Sequence, residues 1–126
     1  MTERKSVLIV DDDQRILISF KRVLEKEGFT VETVETGKEA AEKIRLKHYN
    51  IVLIDVKLPD VEGTDLLLQM RNIPETIKII VTGFSSSEIG TKASDYGADD
   101  YLVKPVSIEE LLETINDQLA LIESRR

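Results

Sequence analysis

The residues of this chain that could do chemistry are a group of aspartates and one lysine, set at the ends of apolar runs. Val7-Leu8-Ile9-Val10 is followed by Asp11, Asp12 and Asp13, and Ile51-Val52-Leu53-Ile54 is followed by Asp55. Short runs that are apolar throughout read as strands buried on both faces. If the two strands are parallel neighbours, their carboxylates meet at one rim. Two carboxylates about 5 Å apart repel by roughly 3 kcal/mol at an effective dielectric near 20. A cluster of this kind must take up a proton or a cation, or else weaken the fold. Oxygen-only ligands suit a hard ion that keeps open positions for water and phosphate, which points to Mg²⁺, with Mn²⁺ as the alternative.

Two further groups are expected at the same rim. A strand ending at Thr82-Gly83 brings a hydroxyl and a closely approachable backbone. A strand followed by Lys104-Pro105 brings an ammonium that can neutralise an anion as a point charge. Carboxylates, a hydroxyl, a cation and a metal form a set suited to phosphoryl transfer, because that reaction needs charge absorbed on the equatorial oxygens and a nucleophile in line. A carboxylate can be the nucleophile and become an aspartyl-phosphate. Asp55 is the best placed to do so.

The elements that must position these groups alternate in type. Strands are predicted over 6–10, 29–34, 50–54, 77–82 and 100–103, and helices over 13–27, 37–48, 63–72, 85–96 and 107–123. In the first helix Ile16, Leu17, Phe20, Val23 and Leu24 form one apolar stripe, which Gly28 stops. Thr36 with Glu39, Ser85 with Glu88 and Ser107 with Glu110 have capping-box spacing, and Gly97 ends the fourth helix. Alternating units of this kind build a parallel sheet with helices on both faces. Strands one, three and four contain continuous apolar runs (Val7-Leu8-Ile9-Val10, Ile51-Val52-Leu53-Ile54 and Ile79-Ile80-Val81) and are therefore central, whereas Phe29-Thr-Val-Glu-Thr-Val34 mixes polar residues and Tyr101-Leu-Val103 is short. The expected fold is therefore α/β: a flavodoxin-like doubly wound five-stranded parallel sheet of order 2-1-3-4-5, with five helices in a three-layer α/β/α arrangement. In that order Asp11, Asp12 and Asp55 meet at the topological switch point, where such folds bind ligands.

Bulk properties agree with this and narrow the function. The 126 residues suit one domain, 1–126, with a proper core. A net charge of −7 argues against nonspecific binding to nucleic acid or to an anionic membrane. Without cysteine there are no disulfides and no thiolate metal ligands. The polar start, Met1 to Ser6, has no signal-peptide stretch, and no run is long enough to span a membrane, so a cytoplasmic location is expected.

With those motifs in place, the chain resembles the receiver domain of two-component response regulators. The resemblance rests on Leu8 to Asp13, on Ile54-Asp55-Val56-Lys57-Leu58-Pro59-Asp60 followed by Gly63, on Val81-Thr82-Gly83, and on Gly97 to Pro105. It implies that Asp55 is the phosphoacceptor. It also implies that Asp12 binds Mg²⁺ directly, Asp11 acts mostly through water, and the Lys57 backbone carbonyl completes the protein ligands. Thr82 and Lys104 would contact the phosphoryl group, and the Lys104-Pro105 bond would be cis. Tyr101 matches a switch position that turns inward when Thr82 moves. Lys57 and Phe84 match positions that tune how long the phosphoryl group lasts. The implied partner is a histidine kinase or phosphotransfer protein, with a homodimer through the helix 4–strand 5–helix 5 face as a further expectation. Helix 4, with Gly90 beside Thr91, looks marginal and suited to switching.

Other readings compete at particular positions. Asp13 is expected to be a helix N-cap rather than a ligand, His48 to be structural or exposed, and Asp60 to belong to the turn with Pro59 and Gly63. The expected function is a signalling module, not an enzyme beyond promoting its own phosphorylation and hydrolysis. The alternative is a Mg²⁺-dependent phosphatase with an aspartate nucleophile. That class usually places an acid/base aspartate two residues on, where this chain has Lys57. A flavodoxin-like cofactor binder would need a Ser/Thr/Gly-rich loop where the three aspartates stand.

Overall fold

The fold is taken from a computed structural model that describes residues 4–125. Five strands alternate with five helices: β1 Ser6–Val10, α1 Gln14–Lys26, β2 Thr30–Val34, α2 Gly37–Leu46, β3 Ile51–Ile54, α3 Thr64–Gln69, β4 Ile77–Thr82, α4 Ser87–Asp95, β5 Asp100–Val103 and α5 Ile108–Ser124. All strand pairs are parallel and the order is β2-β1-β3-β4-β5. Both the order and the assignment of β2 and β5 as edges follow the sequence reading.

The strand period of two divides the core. Val7, Ile9, Ile51, Leu53, Ile77, Ile79 and Val81 face one way and pack with Leu17, Phe20 and Leu24 of α1 and Leu111 and Ile115 of α5. Leu8, Val10, Val52, Ile54 and Ile80 face the other way, against Ala40, Leu66, Leu67, Met70 and Ala93 of α2, α3 and α4. Residues in β1, β3 and β4 are almost completely shielded from solvent on both sides. Each such Leu or Ile contributes about 1.5–3 kcal/mol by its burial. The sheet is therefore a rigid base for whatever its carboxyl edge carries.

Local signals set most boundaries. The Asp13 carboxylate accepts the Arg15 N–H and caps α1. Thr36 and Ser107 cap α2 and α5 by accepting from Glu39 and Glu110 N–H groups. Gly28 and Gly97 adopt φ of +94° and +101°, which ends α1 and α4 at low steric cost.

Three details differ from expectation. The cap of α4 is Ser86, bonded to Ile89 N–H, so the helix starts one residue beyond what Ser85 with Glu88 predicts. α3 stops at Gln69 rather than near 72: Met70 and Ile73 donate to carbonyls three residues back, tightening the chain before Pro74. Asp60 lies in the predicted turn but also reaches beyond it. Its two oxygens accept Gly37 and Lys38 N–H groups at the start of α2.

One surface ion cluster joins β2 to α2. Lys43 and Lys47 both bind the Glu32 carboxylate. Hydrogen bonds from Lys47, then Lys43, hold Glu32 at about 2, against an ordinary value of 4.5. A depressed carboxylate adds stability that is present above the unfolded value and lost as pH falls through the folded one. Glu32→Gln is therefore expected to cost about 1 kcal/mol at neutral pH, after allowing for solvent screening. The deficit should shrink between pH 4.5 and 2, and parallel urea melts across that window would read it. A deficit that does not change with pH would show that the cluster contributes packing and not charge.

Candidate functional site

The register of the central strands brings the acidic residues together. Val10 of β1 is aligned with Ile54 of β3, so the residues that follow, Asp11 and Asp55, leave the sheet side by side. Asp55 N–H donates to Val10 C=O at 2.9 Å, and Asp11 N–H donates to Val34 C=O at 3.1 Å. The backbones beneath both carboxylates are thereby tied into the sheet. Asp11 and Asp55 are 2% and 6% exposed, whereas Asp12 is open to solvent. One carboxylate oxygen from each of Asp11, Asp12 and Asp55 lies within 4.8 Å of the others. These three hard oxygens, one of them facing water, fit a divalent cation such as Mg²⁺.

Lys104 comes from the opposite edge. Thr82 is aligned with Val103, and Lys104 N–H donates to Thr82 C=O at 2.9 Å, which turns the lysine over the rim of β4. Its Nζ donates to Asp11 Oδ2 at 2.7 Å and to Asp55 Oδ2 at 3.1 Å. The Lys104–Pro105 peptide is cis, as the resemblance implies.

The charges are unequally served. Burial is the largest influence on Asp11 and raises it above the ordinary carboxylate value, although Lys104 and the Asp13 N–H pull it down; the Asp55 charge adds to the rise. Burial also pulls Lys104 down, but Asp11 and then Asp55 outweigh it and hold the ammonium above its ordinary value. The asymmetry is physical, since one cation is shared by two carboxylates. The lysine gains from both, while Asp11 has half a partner and loses its water.

The folded state holds a charged Asp11 less well than the unfolded chain does, so its contribution grows as pH falls through the raised value. At neutral pH, Asp11→Asn is expected to stabilise the metal-free protein by about 1 kcal/mol, read as a higher melting temperature. The same substitution should weaken the response of that temperature to Mg²⁺. A lower melting temperature without metal would contradict the crowded-carboxylate account.

The remaining candidates surround this core. Lys57 N–H approaches Asp55 Oδ1 at 3.4 Å. The Lys57 ammonium sits 4.4 Å from the centre of the Phe84 ring, so the two tuning candidates form a cation–π pair, and Phe84 is half exposed. Thr82 is fully buried and its hydroxyl accepts the Phe84 N–H at 3.1 Å, pointing to the loop after β4. Tyr101 is already directed inward. It packs on the α2–α3–α4 side of the core, and its hydroxyl is buried without a hydrogen-bond partner among the described residues. Burial pushes that hydroxyl above its ordinary value. His48 is exposed and far from this group in the fold, at the end of α2.

Sequence reasoning missed the groups that hold the loop between β3 and α3. Glu62 accepts the Thr64 hydroxyl at 2.6 Å and the Lys92 ammonium of α4 at 3.0 Å. Gly63 N–H donates to Val56 C=O at 2.6 Å, and a side chain at Gly63 would begin 1.9 Å from the Asp55 carbonyl oxygen. The glycine was visible in the sequence; the backbone it must approach was not.

Comparison with known proteins bears on the family and the fold. The profile of the response regulator receiver domain matches residues 7–116. Response regulator ArlR of Staphylococcus saprophyticus is 38% identical over 113 residues, which is 90% of this chain and 51% of that protein. The chain thus spans about half the length of the curated relatives it matches. A CheY-like response regulator receiver domain protein from Methanospirillum hungatei superposes with a TM-score of 0.95 at 43% identity, covering 98% of this chain and 100% of that one. The BeF3-activated receiver domain of DrrB, a protein of Thermotoga maritima, superposes with a TM-score of 0.85 at 31% identity, covering 94% and 99%.

Proposed function

This chain belongs to the response regulator receiver domain family of two-component systems, and from that premise we propose that it is a signalling module that accepts a phosphoryl group on Asp55. We take residues 1–126 as one such domain. The observation that carries the reading is the shared environment of Asp55: a buried carboxylate beside Asp11 and Asp12, with Lys104 in contact.

In this reading an Asp55 oxygen attacks the phosphorus of a histidine kinase, a phosphotransfer protein or a small acyl phosphate. The new bond is O–P, the donor's bond to phosphorus breaks, and the donor leaves with the electron pair. Asp11, Asp12, Asp55 and the Lys57 carbonyl would hold Mg²⁺, which when bound supplies positive charge to the transferring oxygens. Lys104 supplies a second cation from the other side, and Thr82 supplies a hydroxyl. The Lys57–Phe84 pair covers the approach of the water that later hydrolyses the acyl phosphate. The phosphatase alternative is disfavoured because Lys57, with its side chain on Phe84, stands where that chemistry needs an acid/base carboxylate.

For the signal itself, the weak element is α4. It has nine residues, includes Gly90, and buries Ala93 alone among its side chains. Capture of the Thr82 hydroxyl by a phosphoryl group would release the Phe84 N–H and loosen the turn into α4. Tyr101, packed beneath that helix, would then reset the α4–β5–α5 face, which is the proposed surface for dimerisation or output.

The test is the nature of the bond formed. With Mg²⁺ and acetyl phosphate, intact mass should rise by about 80 Da, one phosphoryl group. Chelator should prevent the gain, and hydroxylamine, which cleaves acyl phosphates, should reverse it. A hydroxylamine-stable adduct would overturn the reading. Decay of the adduct after donor removal reads the cover, because replacing Lys57 or Phe84 should change decay more than uptake.

A further inference from the structure

We infer that Asp60 is a positioning residue for the metal-binding loop, holding the segment between β3 and α3 against the N-terminus of α2. The inference rests on the proposed Asp11–Asp12–Asp55 site with the Lys57 carbonyl as a ligand.

The first N–H groups of a helix have no partner within it and carry partial positive charge. In α2 they are divided between two sources. Asp60 Oδ1 accepts Gly37 N–H and Asp60 Oδ2 accepts Lys38 N–H, each at 2.9 Å. Glu39 N–H goes to the helix's own cap, the Thr36 hydroxyl, at 3.1 Å. These bonds, Gly37's first, hold Asp60 below the usual carboxylate range. The contact is close as well as polar. A side chain at Gly37 would begin 2.2 Å from Val61 Cγ2, so the helix end and the loop leave no gap.

The far end of the loop is closed on itself. Lys57 and Glu62 form an antiparallel bridge, and Gly63 N–H donates to Val56 C=O. Leu58 is buried in the core on the α2–α3–α4 side of the sheet. Release of Asp60 therefore frees the middle of a short closed loop whose first residues carry the Lys57 carbonyl and the Lys57 N–H that faces Asp55. A residue that only capped α2 would stabilise the helix and leave the loop's metal affinity alone. The division of the first turn allows the two roles to be separated, because Thr36→Ala removes a cap from the same helix without touching the loop.

The experiment is Mg²⁺ titration by calorimetry of wild type, Asp60→Ala, Asp60→Asn, Thr36→Ala and Asp12→Asn, with amide exchange of the metal-free proteins alongside. Asp60→Ala is expected to weaken Mg²⁺ binding about tenfold, the lower end for residues that orient ligands. Asp60→Asn, which keeps one acceptor oxygen, should fall between it and wild type. Thr36→Ala should bind as wild type does despite a lower melting temperature. Exchange at Lys57 and Gly63 should quicken in Asp60→Ala and not in Thr36→Ala. If wild type binds Mg²⁺ through Asp12 but Asp60→Ala binds equally well, or no worse than Thr36→Ala, the positioning role is overturned and the metal site stands. If wild type shows no Asp12-dependent binding, the proposed metal site falls, and the positioning role with it.

Discussion

Asp55→Asn should take up no phosphoryl group from acetyl phosphate in the presence of Mg²⁺, while remaining folded. The amide nitrogen and oxygen that replace the carboxylate are not nucleophiles toward phosphorus at neutral pH, so the loss is expected to be complete and not merely a slowing. The fold should survive the change. Asn is nearly isosteric, the Asp55 backbone remains bonded to Val10, and one of three clustered carboxylates disappears. Lys104 keeps Asp11 at 2.7 Å and is not left alone. Stability should therefore be equal to or above that of wild type, by up to about 1 kcal/mol. Intact mass and a melting curve on the same sample decide the matter. An adduct of equal size in Asp55→Asn would place the acceptor elsewhere. Loss of the fold would mean that the Asp55 charge is needed to balance Lys104.

Gly63→Ala should be far more damaging than alanine at Gly37, Gly83 or Gly90. At Gly83 and Gly90 an added methyl meets nothing within 4 Å, and at Gly37 it meets the end of a Val61 side chain, which can turn. At Gly63 it meets the backbone of Asp55: the carbonyl oxygen at 1.9 Å and the carbonyl carbon at 2.8 Å. Neither atom can move alone, because Asp55 is the first residue beyond a fully buried strand. The backbone must shift or the loop must detach, at a cost of about 3 kcal/mol, the upper end of the usual range for overpacking. The shift would also carry the Asp55 carboxylate away from Lys104 and Asp11, so uptake from acetyl phosphate should fall at least tenfold even at temperatures where the variant is folded. Gly90→Ala is the control. Its methyl lies in open space on α4, and it should stabilise that helix by up to about 1 kcal/mol. If Gly63→Ala were as stable and as reactive as Gly90→Ala, the close approach of Gly63 to the Asp55 backbone would be disproved.

The two substitutions also mark what can be read from a sequence. Asp55 was legible because its signal is local: four apolar residues, then a carboxylate, repeated at Val7–Asp11. The strand order was legible for a related reason. Central strands must be apolar on both faces, so composition alone separated β1, β3 and β4 from β2 and β5. Thr82 and Lys104 followed, since a residue at the carboxyl end of a strand has little choice of which rim it joins. The second role of Asp60 was not legible because its partner is the start of α2, 23 residues earlier in the chain. A carboxylate beside a proline has a sufficient local explanation as a turn residue. Ser85 was taken for a cap in place of Ser86 because adjacent serines offer the same chemistry, and the choice between them falls to backbone angles.

The order of elements, the sheet, the acidic rim and the kind of chemistry the rim could support were all present in the order of residues. Those properties come from side-chain type and from periods of two and 3.6, which act over a few residues. Only the tertiary structure decided that Lys104 is shared by two carboxylates, that Lys57 lies over Phe84, that Tyr101 is turned inward, and that the loop after Asp55 is held by α2 and α4. These depend on distances between segments far apart in sequence. They are fixed when the two faces of the sheet are covered and the loops are left to find partners at its edge.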